Sequence, residues 1–305
     1  LPQSAQNSVT TQQLEPKVAD ISALQPAPRE WSWRTILLGA LVLLTYYAVI
    51  AKLATDWYKD PDFSHGFLVP LFSFYVVWRR REEIFSIKSS PSWWGLPIIA
   101  AALLMLLVGA LGAELFVARV SLVLLLAGLT VMFSGVERFK AILFPWALLF
   151  LMIPIPAIIF NQITFPLQLL ASKAASACLP LLGVPVFREG NVINLPSMPL
   201  EVAEACSGIR SLMSLGTMAI IYGYLLEPTV WRRIVLALAS VPIAVAANAA
   251  RVVGTGLCVQ YWDPDKALGF FHEFSGWAIF VISLILLYLL HSVLRLGEKR
   301  TEKAS

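Results

Sequence analysis

The chain has 305 residues, of which 58% are hydrophobic and only 14% are charged, and its mean hydropathy is +0.74. A soluble domain of this length needs far more polar surface, so the composition excludes a soluble protein and indicates a polytopic membrane protein. The formal net charge of +4 is no argument for a nucleic-acid partner. The three cysteines show no Cys-x-x-Cys or Cys/His ligand spacing, so we expect neither a metal nor a cofactor.

Three segments follow from the composition along the chain. Residues 1–30 are polar, rich in Gln, Ser and Pro, and contain no apolar signal-peptide core, so they predict a disordered cytoplasmic tail. Residues 31–296 form a single integral-membrane domain. Residues 297–305 form a basic cytoplasmic tail.

About 20 apolar residues are needed to cross a bilayer. Eight stretches suit such spans, at roughly 34–54, 66–80, 94–113, 115–134, 141–160, 208–226, 234–259 and 275–294. The second stretch is short. The fold class predicted is therefore an all-α polytopic membrane protein with about eight transmembrane helices.

The charged loops predict the orientation, because Lys and Arg concentrate on the cytoplasmic side. Under this span count one side receives the basic residues Lys17, Arg29, Arg34, Arg79, Arg80, Arg81, Lys88, Arg138, Lys140, Arg232, Arg233, Arg295, Lys299, Arg300 and Lys303. The other side receives Asp56, Asp60, Asp62, Glu114, Glu201, Glu204, Asp263, Asp265 and Glu273. Both termini are predicted to be cytoplasmic, with the chain in the cytoplasmic (inner) membrane.

The longest segment between spans, residues 161–207, lies between the fifth and sixth. Ile163, Leu167, Leu170 and Ala174 recur at helical spacing with polar residues opposite, which predicts an amphipathic helix on the outer leaflet. Residues 186–195 then predict a small extracytoplasmic β-hairpin with Arg188 near its turn.

The stretch LEVAEACSGIRS, residues 200–211, contains the first candidate catalytic residue, Cys206. Cys206 follows Glu204 and precedes a helix for which Ser207 and Gly208 are the expected N-cap region. A helix N-terminus and a nearby guanidinium, here Arg210, both favour a reactive thiolate. A small buried packing residue explains the cysteine equally well on local sequence alone.

Two further side chains are predicted at the same depth as Cys206. Arg251 lies 17 residues beyond Ile234, roughly 26 Å along the seventh span. Arginines near span ends often snorkel to the headgroups. Because Asn248 shares its helical face among small residues, we favour an inward, functional Arg251.

The second of these side chains is His272, which precedes the eighth span with Ser275 as a candidate helix cap. An ordinary loop histidine explains His272 equally well. His65 is a competing outer histidine for which packing under Gly66 is slightly favoured, whereas His291 falls at the opposite membrane face.

The remaining cysteines, Cys178 and Cys258, lie in apolar patterns and are interpreted as packing residues. A disulfide between two of the three cysteines remains an alternative interpretation, because the outer compartment is a candidate oxidising environment.

Cys206, His272 and Arg251 together supply the groups that acyl transfer by a thiol requires. The cysteine attacks a carbonyl, the histidine activates it and protonates the leaving amine, and the arginine stabilises the oxyanion. Sortases use the same three residue types on an unrelated fold, which is a likeness of roles only.

At these residues the chain resembles the exosortases and their archaeal relatives, the archaeosortases, from about Asp60 to Tyr288. The motifs that carry the resemblance are SHGFLVP at 64–70, REGNVINLP at 188–196, EVAEACSGIRS at 201–211, NAARV at 248–252 and FHEFSG at 271–276.

The resemblance implies a membrane cysteine protease that acts as a transpeptidase, with Cys206, Arg251 and His272 as catalytic residues. The implied substrates are secreted proteins with a C-terminal Pro-Glu-Pro-like motif, a transmembrane helix and a basic cluster. The supporting or substrate-binding candidates are Ser207, Gly208, Arg210, Asn248, Arg188, His65, Glu204 and Ser275. The acceptor is not identified.

Two alternatives stay open. One is a transporter or assembly factor for exported polysaccharide, which would need polar groups through the depth of the bilayer. The other is a thiol peptidase that only hydrolyses its substrate.

Overall fold

The computed structural model describes residues 33–202, 208–262 and 270–304, and describes side chains at 33, 36–202, 208–262 and 274–296. The predicted tail at 1–30, the segment with Glu204, Cys206 and Ser207, and the side chain of His272 lie outside the described residues. The chain divides into two compact units, Leu1–Thr45 and Tyr46–Ser305. The first unit contributes the start of a long helix, and all of the candidate site belongs to the second.

Helices dominate the described residues. In chain order they are α1 (Trp33–Lys59), a 3-10 helix (Pro61–Phe67), α2 (Leu68–Arg79), α3 (Arg81–Ser86), α4 (Gly95–Leu111), α5 (Leu115–Ser134), α6 (Val136–Ala141), α7 (Leu143–Leu148) with a 3-10 turn (Leu149–Met152), α8 (Ala157–Cys178) with a 3-10 turn (Pro180–Leu182), α9 (Ile209–Leu226), α10 (Val230–Tyr261) and α11 (Phe270–Ala304).

The all-α polytopic membrane fold is confirmed. Within the described residues, six helices are long and apolar enough to cross a membrane, and two shorter apolar helices cover Gly95–Leu111 and Leu143–Met152. Two of the expected spans differ. The stretch at 66–80 is the end of a 3-10 helix followed by the 12-residue α2. The stretch at 141–160 is interrupted at residues 153–156, where Pro154 and Pro156 withhold the backbone donors that a helix needs. The count of eight spans stays a prediction.

Helix α8 occupies the place of the expected amphipathic helix, and both its buried and its exposed faces carry polar and apolar residues. Gln168 and Ser172 are buried, whereas Ile163 and Leu170 are exposed. The segment Ala157–Leu182 also has the length and hydropathy of a membrane span. Gln162 and Lys173 of the expected polar face are exposed, so the position of this helix on the outer leaflet stays a prediction.

The predicted hairpin is present as β1 (Phe187–Glu189) and β2 (Val192–Asn194), paired antiparallel with Glu189 opposite Val192. A third strand, β3 (Pro199–Glu201), pairs with β2 and was not predicted. Its proline occupies the first position of an edge strand, where no ladder donor is required. Strand β3 leads directly into the segment that contains Cys206.

The sheet is fixed to α8 and α10 by a hydrophobic cluster. Its members come from all three elements: Ala171, Ala175, Leu179, Val184, Ile193, Leu195, Leu200, Val202, Val252 and Val259. Ser172 also donates a hydrogen bond to the carbonyl of Gly190 in the hairpin turn, at 3.0 Å. The sheet therefore lies beside the part of α10 that carries Arg251.

Helices α9, α10 and α11 pack against one another, and α9 also packs against the Pro61–Phe67 helix. A Cβ on Gly216 would lie 3.7 Å from Oγ of Ser240, and one on Gly223 would lie 3.4 Å from Cα of Arg233. The small residues of α9 are therefore occupied by α10, as close helix packing requires.

The predicted basic loops lie together at one end of the bundle. Arg80 donates to the hydroxyl of Tyr224 at 3.1 Å. At the same end, Glu227 is fully buried and accepts hydrogen bonds from His291 at 2.6 Å and from Arg295 at 2.9 Å. Burial opposes ionisation of this carboxyl, but these hydrogen bonds outweigh it and hold the pKa of Glu227 below its ordinary value. His291 is thus far from Arg251, as expected.

Candidate functional site

Arg251 is buried in α10, with 7% of its surface exposed. It lines a cavity of about 440 Å³ that also contacts the start of α9, the α11 segment and the Pro61–Phe67 helix. The lining of this cavity includes Ser64, Arg210, Ser214, Arg251, Gly276 and Phe280. A guanidinium buried within the protein is the arrangement expected for an inward-facing Arg251 rather than for an arginine that snorkels to the headgroups.

The start of α9 is pressed against α10 through Gly208. Gly208 is the N-cap of α9 and has a φ of 79°, a left-handed conformation that favours glycine. A Cβ at this position would lie only 2.7 Å from Cγ of Asn248, which is itself buried. Only glycine allows this approach, and the prediction that the helix begins at Gly208 is confirmed.

The segment that carries Cys206 is tethered on both sides. Before it, the backbone N–H of Val202 donates to the carbonyl of Asn191 at 2.9 Å. After it, Gly208 contacts Asn248 on α10, one helical turn from Arg251. Cys206 itself lies outside the described residues, two positions before Gly208 in the sequence.

Gly276 brings α11 against Arg251. A Cβ on Gly276 would lie 3.3 Å from Nη2 and 3.4 Å from Cζ of Arg251. Helix α11 already begins at Phe270, so Ser275 is inside the helix and the expectation that it caps the helix is wrong. Position 272 is helical, four residues before Gly276, and positions four apart share one helix face.

The Pro61–Phe67 helix closes another side of the cavity. Asp60 caps it by accepting from the backbone N–H of Asp62 at 2.9 Å. The carboxylate of Asp62 accepts a hydrogen bond from Nε of Arg210 at 2.8 Å. Asp62 lies in a predicted acidic loop, but its partner could not be predicted, because Arg210 is 148 positions away in the sequence.

His65 is buried on the same short helix, and its Nε2 donates to the carbonyl of Leu151 at 3.2 Å. Burial lowers the pKa of His65, and hydrogen bonds to the backbone of Leu151 and Asp62 oppose this only in part. A Cβ on Gly66 would overlap the indole of Trp57. These contacts support packing as the main role of His65.

His65 also lines a second cavity of about 220 Å³. This cavity shares Ser64, Ser214 and Phe280 with the first one and continues along α9 past Met218 and Ile221. The two cavities together form a groove between α2, α9 and α11, which we call the α9 groove.

The other candidates lie elsewhere. Arg188 donates to the carbonyl of Gly190 at 2.7 Å and so stays within its own hairpin. In the described part of the chain, Cys178 and Cys258 are free cysteines. Cys258 packs against the cluster of α8, α10 and the sheet, whereas Cys178 is exposed, so the packing interpretation of Cys178 is wrong.

A Gly208→Ala substitution is expected to slow processing of a substrate by about tenfold, because relieving the contact with Asn248 must displace the start of α9 by a fraction of an ångström. Gly190→Ala is the matched control. Gly190 also has a positive φ, of 61°, but a Cβ there has no atom within 4 Å among the described residues. Equal effects of the two substitutions on processing rate would assign the loss to backbone strain alone.

These features define a multi-pass membrane protein with a buried arginine and a polar cavity where the starts of α9 and α11 meet α10. A family model described as transmembrane exosortase (Exosortase_EpsH) matches residues 57–289. The chain belongs to the transmembrane exosortase family. Comparison with curated proteins and with solved structures gives no match. Family membership carries a general role in sorting secreted proteins that bear sorting signals.

Proposed function

We propose that this chain is a cysteine transpeptidase that cleaves the C-terminal sorting signal of secreted proteins at the outer face of the cytoplasmic membrane. Cys206 is the nucleophile, His272 the acid–base group and Arg251 the oxyanion-stabilising group. Both termini are cytoplasmic in this proposal. The observation that carries it is the cavity in which buried Arg251 meets Gly276 of α11 and Arg210 of α9.

The start of α9 supports a nucleophilic role for Cys206. The first N–H groups of a helix are unpaired and carry partial positive charge, which stabilises a nearby thiolate. Arg210 adds a cation to the same region, and its ion pair with Asp62 fixes its position. Gly208, two residues after Cys206 in the sequence, lies against Asn248 of α10.

The reaction follows from these roles. The thiolate of Cys206 adds to the scissile carbonyl, and the oxyanion that forms accepts hydrogen bonds from Arg251. The carbon–nitrogen bond then breaks, and protonated His272 donates its proton to the leaving amine. A thioester remains on Cys206. An acceptor amine attacks this thioester in transpeptidation, His272 removes the amine proton, and the thiolate is regenerated; water in place of the amine gives hydrolysis.

The cavity also suggests how the sorting signal is bound. Arg210 is exposed at 44% of its side chain and lines the cavity, whereas Arg188 is held in the hairpin. We therefore infer that Arg210, not Arg188, binds the carboxylate of an acidic residue in the signal. The substrate carboxylate would replace Asp62 as the partner of the guanidinium.

The 220 Å³ cavity of the α9 groove favours an enzyme over a transporter. Its lining includes Leu68, Met218, Ile221 and Phe280 and is largely apolar. A pathway for polysaccharide needs polar groups through the bilayer, whereas this lining suits an apolar helix of the substrate.

The proposal is tested by searching for a covalent intermediate between the substrate and Cys206. The purified full chain is incubated with a substrate bearing a sorting signal, without an acceptor, and its intact mass is measured. The expected result is an added mass equal to the acyl part of the substrate, removed by hydroxylamine and missing in Cys206→Ala. Cleavage without a thioester adduct, and cleavage by Cys206→Ala at the wild-type rate, would each contradict the proposal. Cys178→Ala is the matched control and should retain the adduct, since Cys178 is exposed at the end of α8.

A further inference from the structure

A third cavity lies at the opposite end of α9. Its volume is about 460 Å³ and its lining includes Tyr75, Arg79, Arg80, Tyr224 and Arg233. Tyr224 is 14 residues beyond Arg210 on one helix, which places the two cavities roughly 21 Å apart. This cavity is therefore separate from the candidate active site.

The cavity has a rigid wall. The ring of Tyr224 stacks on Phe144 with centroids 3.7 Å apart, and the guanidinium of Arg233 covers it at 5.0 Å. Arg80 donates to the Tyr224 hydroxyl at 3.1 Å and is itself held by Glu83 through two hydrogen bonds. The hydroxyl of Tyr224 thus accepts from Arg80 and can donate its own proton into the cavity.

Two guanidiniums retain donors that the described residues do not use. Each guanidinium has five N–H donors. Arg233 uses Nε for the carbonyl of Glu227 at 2.7 Å, and Nη2 reaches the carbonyl of Pro228 at 3.5 Å. Arg79 has a single hydrogen bond, to the hydroxyl of Tyr75 at 3.5 Å. Both arginines line the same cavity.

The charge of the site is positive. In the described residues its lining contains three arginines and no carboxylate. Glu83 lies nearby but is paired with Arg80, and Glu227 is buried among its own partners. An anion with several acceptor oxygens is the ligand that such an arrangement binds.

The surroundings favour a lipid as the source of that anion. Leu225 of α9 lines the cavity and is exposed. On α2, Leu71, Phe74 and Trp78 are exposed apolar side chains that precede Arg79 in the same helix. Aromatic and cationic residues at the end of apolar helices are typical of the headgroup region of a bilayer. Basic pockets between membrane helices at this level bind anionic headgroups.

We propose that this cavity binds the phosphate of an anionic phospholipid. Arg79 and Arg233 are its cationic ligands, the hydroxyls of Tyr75 and Tyr224 complete the site, and Arg80 positions Tyr224. The acyl chains lie along the exposed apolar faces of α2 and α9.

The test measures lipid binding to the full chain in detergent by native mass spectrometry, with phosphatidylglycerol and phosphatidylcholine as probes. Phosphatidylglycerol is expected to bind and phosphatidylcholine not to bind at the same concentration. Arg79→Gln and Arg233→Gln should each weaken phosphatidylglycerol binding by about fivefold, the effect of roughly one interfacial cation. Arg81→Gln is the matched control with the same charge change, because Arg81 pairs with Glu82 and covers Trp78 outside the cavity.

Three outcomes would overturn the proposal. They are equal binding of the two lipids, an equal loss in Arg81→Gln and Arg79→Gln, and displacement of phosphatidylglycerol by millimolar inorganic phosphate, which would mean a free-phosphate site. If Arg233→Gln fails to fold, phosphatidylglycerol binding by Arg79→Gln and Tyr75→Phe still tests the proposal. Both residues are exposed, and the hydrogen bond between them is long at 3.5 Å.

Discussion

Replacement of Arg251 by Lys is expected to lower the rate of substrate processing by roughly 100- to 1000-fold, the loss typical of one oxyanion donor. Lys keeps the positive charge but offers a compact ammonium in place of a planar fork of donors. Arg251 is buried, and Gly276 leaves space for its guanidinium on α11. The loss should appear in kcat with little change in KM, because the oxyanion exists only in the transition state.

The control for this prediction is Arg188→Lys, the same substitution in the hairpin, where the side chain contacts only the carbonyl of Gly190 in the described structure. Processing by this variant should stay close to wild type. A further arm is Gly276→Ala, which leaves Arg251 intact but places a methyl group 3.3 Å from its Nη2 and should lower kcat in the same direction. Full activity in Arg251→Lys would mean that only the charge at this position matters.

The parts of the fold that depend on local sequence were predicted well. The strong hydropathy of the chain was sufficient for the all-α membrane class, and the turn residues Gly190 and Asn191 were sufficient for the hairpin that they join. The interruption at residues 153–156 was missed because apolar residues continue across it, although Pro154 and Pro156 were the available signal. The third strand was missed because Pro196 lies in the connection from β2 and Pro199 is the first residue of the strand.

The burial of α8 could not be read from its amphipathic pattern. In water the apolar stripe of such a helix faces the core, whereas in an apolar solvent the driving force for that arrangement is gone. Gln168 and Ser172 are buried here, and Ser172 has a partner in the hairpin that only the tertiary structure supplies.

For the candidate site, the sequence predicted which elements meet but not their contacts. Helical rise was enough to place Arg251 and the start of α9 at one depth, and the structure joins them through Asn248 and Gly208. The pairing of Asp62 with Arg210 depends on a contact between distant segments that no local pattern encodes. The roles of Cys206 and His272 stay predictions.

The structure favours a different docking site for the substrate helix from the one that small residues suggest. Small-residue faces, such as those of the sixth and seventh predicted spans, are where membrane helices commonly dock. In the structure Gly216 and Gly223 of α9 face α10, so this face of α9 already packs against a neighbouring helix. The α9 groove is the better candidate, because it begins at the cavity of Arg251 and continues between α2 and α11.

A substrate helix in this groove would hold the scissile bond at the depth of Arg251. The helix anchors the substrate in the membrane, which raises the effective concentration of the motif at the cavity. Shortening the helix by four residues would draw the motif about 6 Å into the bilayer. Lengthening the spacer with flexible residues would instead dilute the motif, a weaker effect that grows slowly with length.

Deletion of four residues from the substrate helix is therefore expected to reduce processing at least tenfold, since a misplacement of about 1 Å already costs up to 100-fold in well-ordered sites. Flexible inserts of four to eight residues between motif and helix should cause a graded, smaller loss. The matched control carries the same insert before the motif, where the depth of the scissile bond is unchanged, and it should be processed normally. Cleavage is measured by the mass of the released product for each substrate. Unchanged processing across both the deletion and the insertion series would mean that the short motif is recognised without reference to its depth, and the α9 groove would then have no part in selecting the substrate.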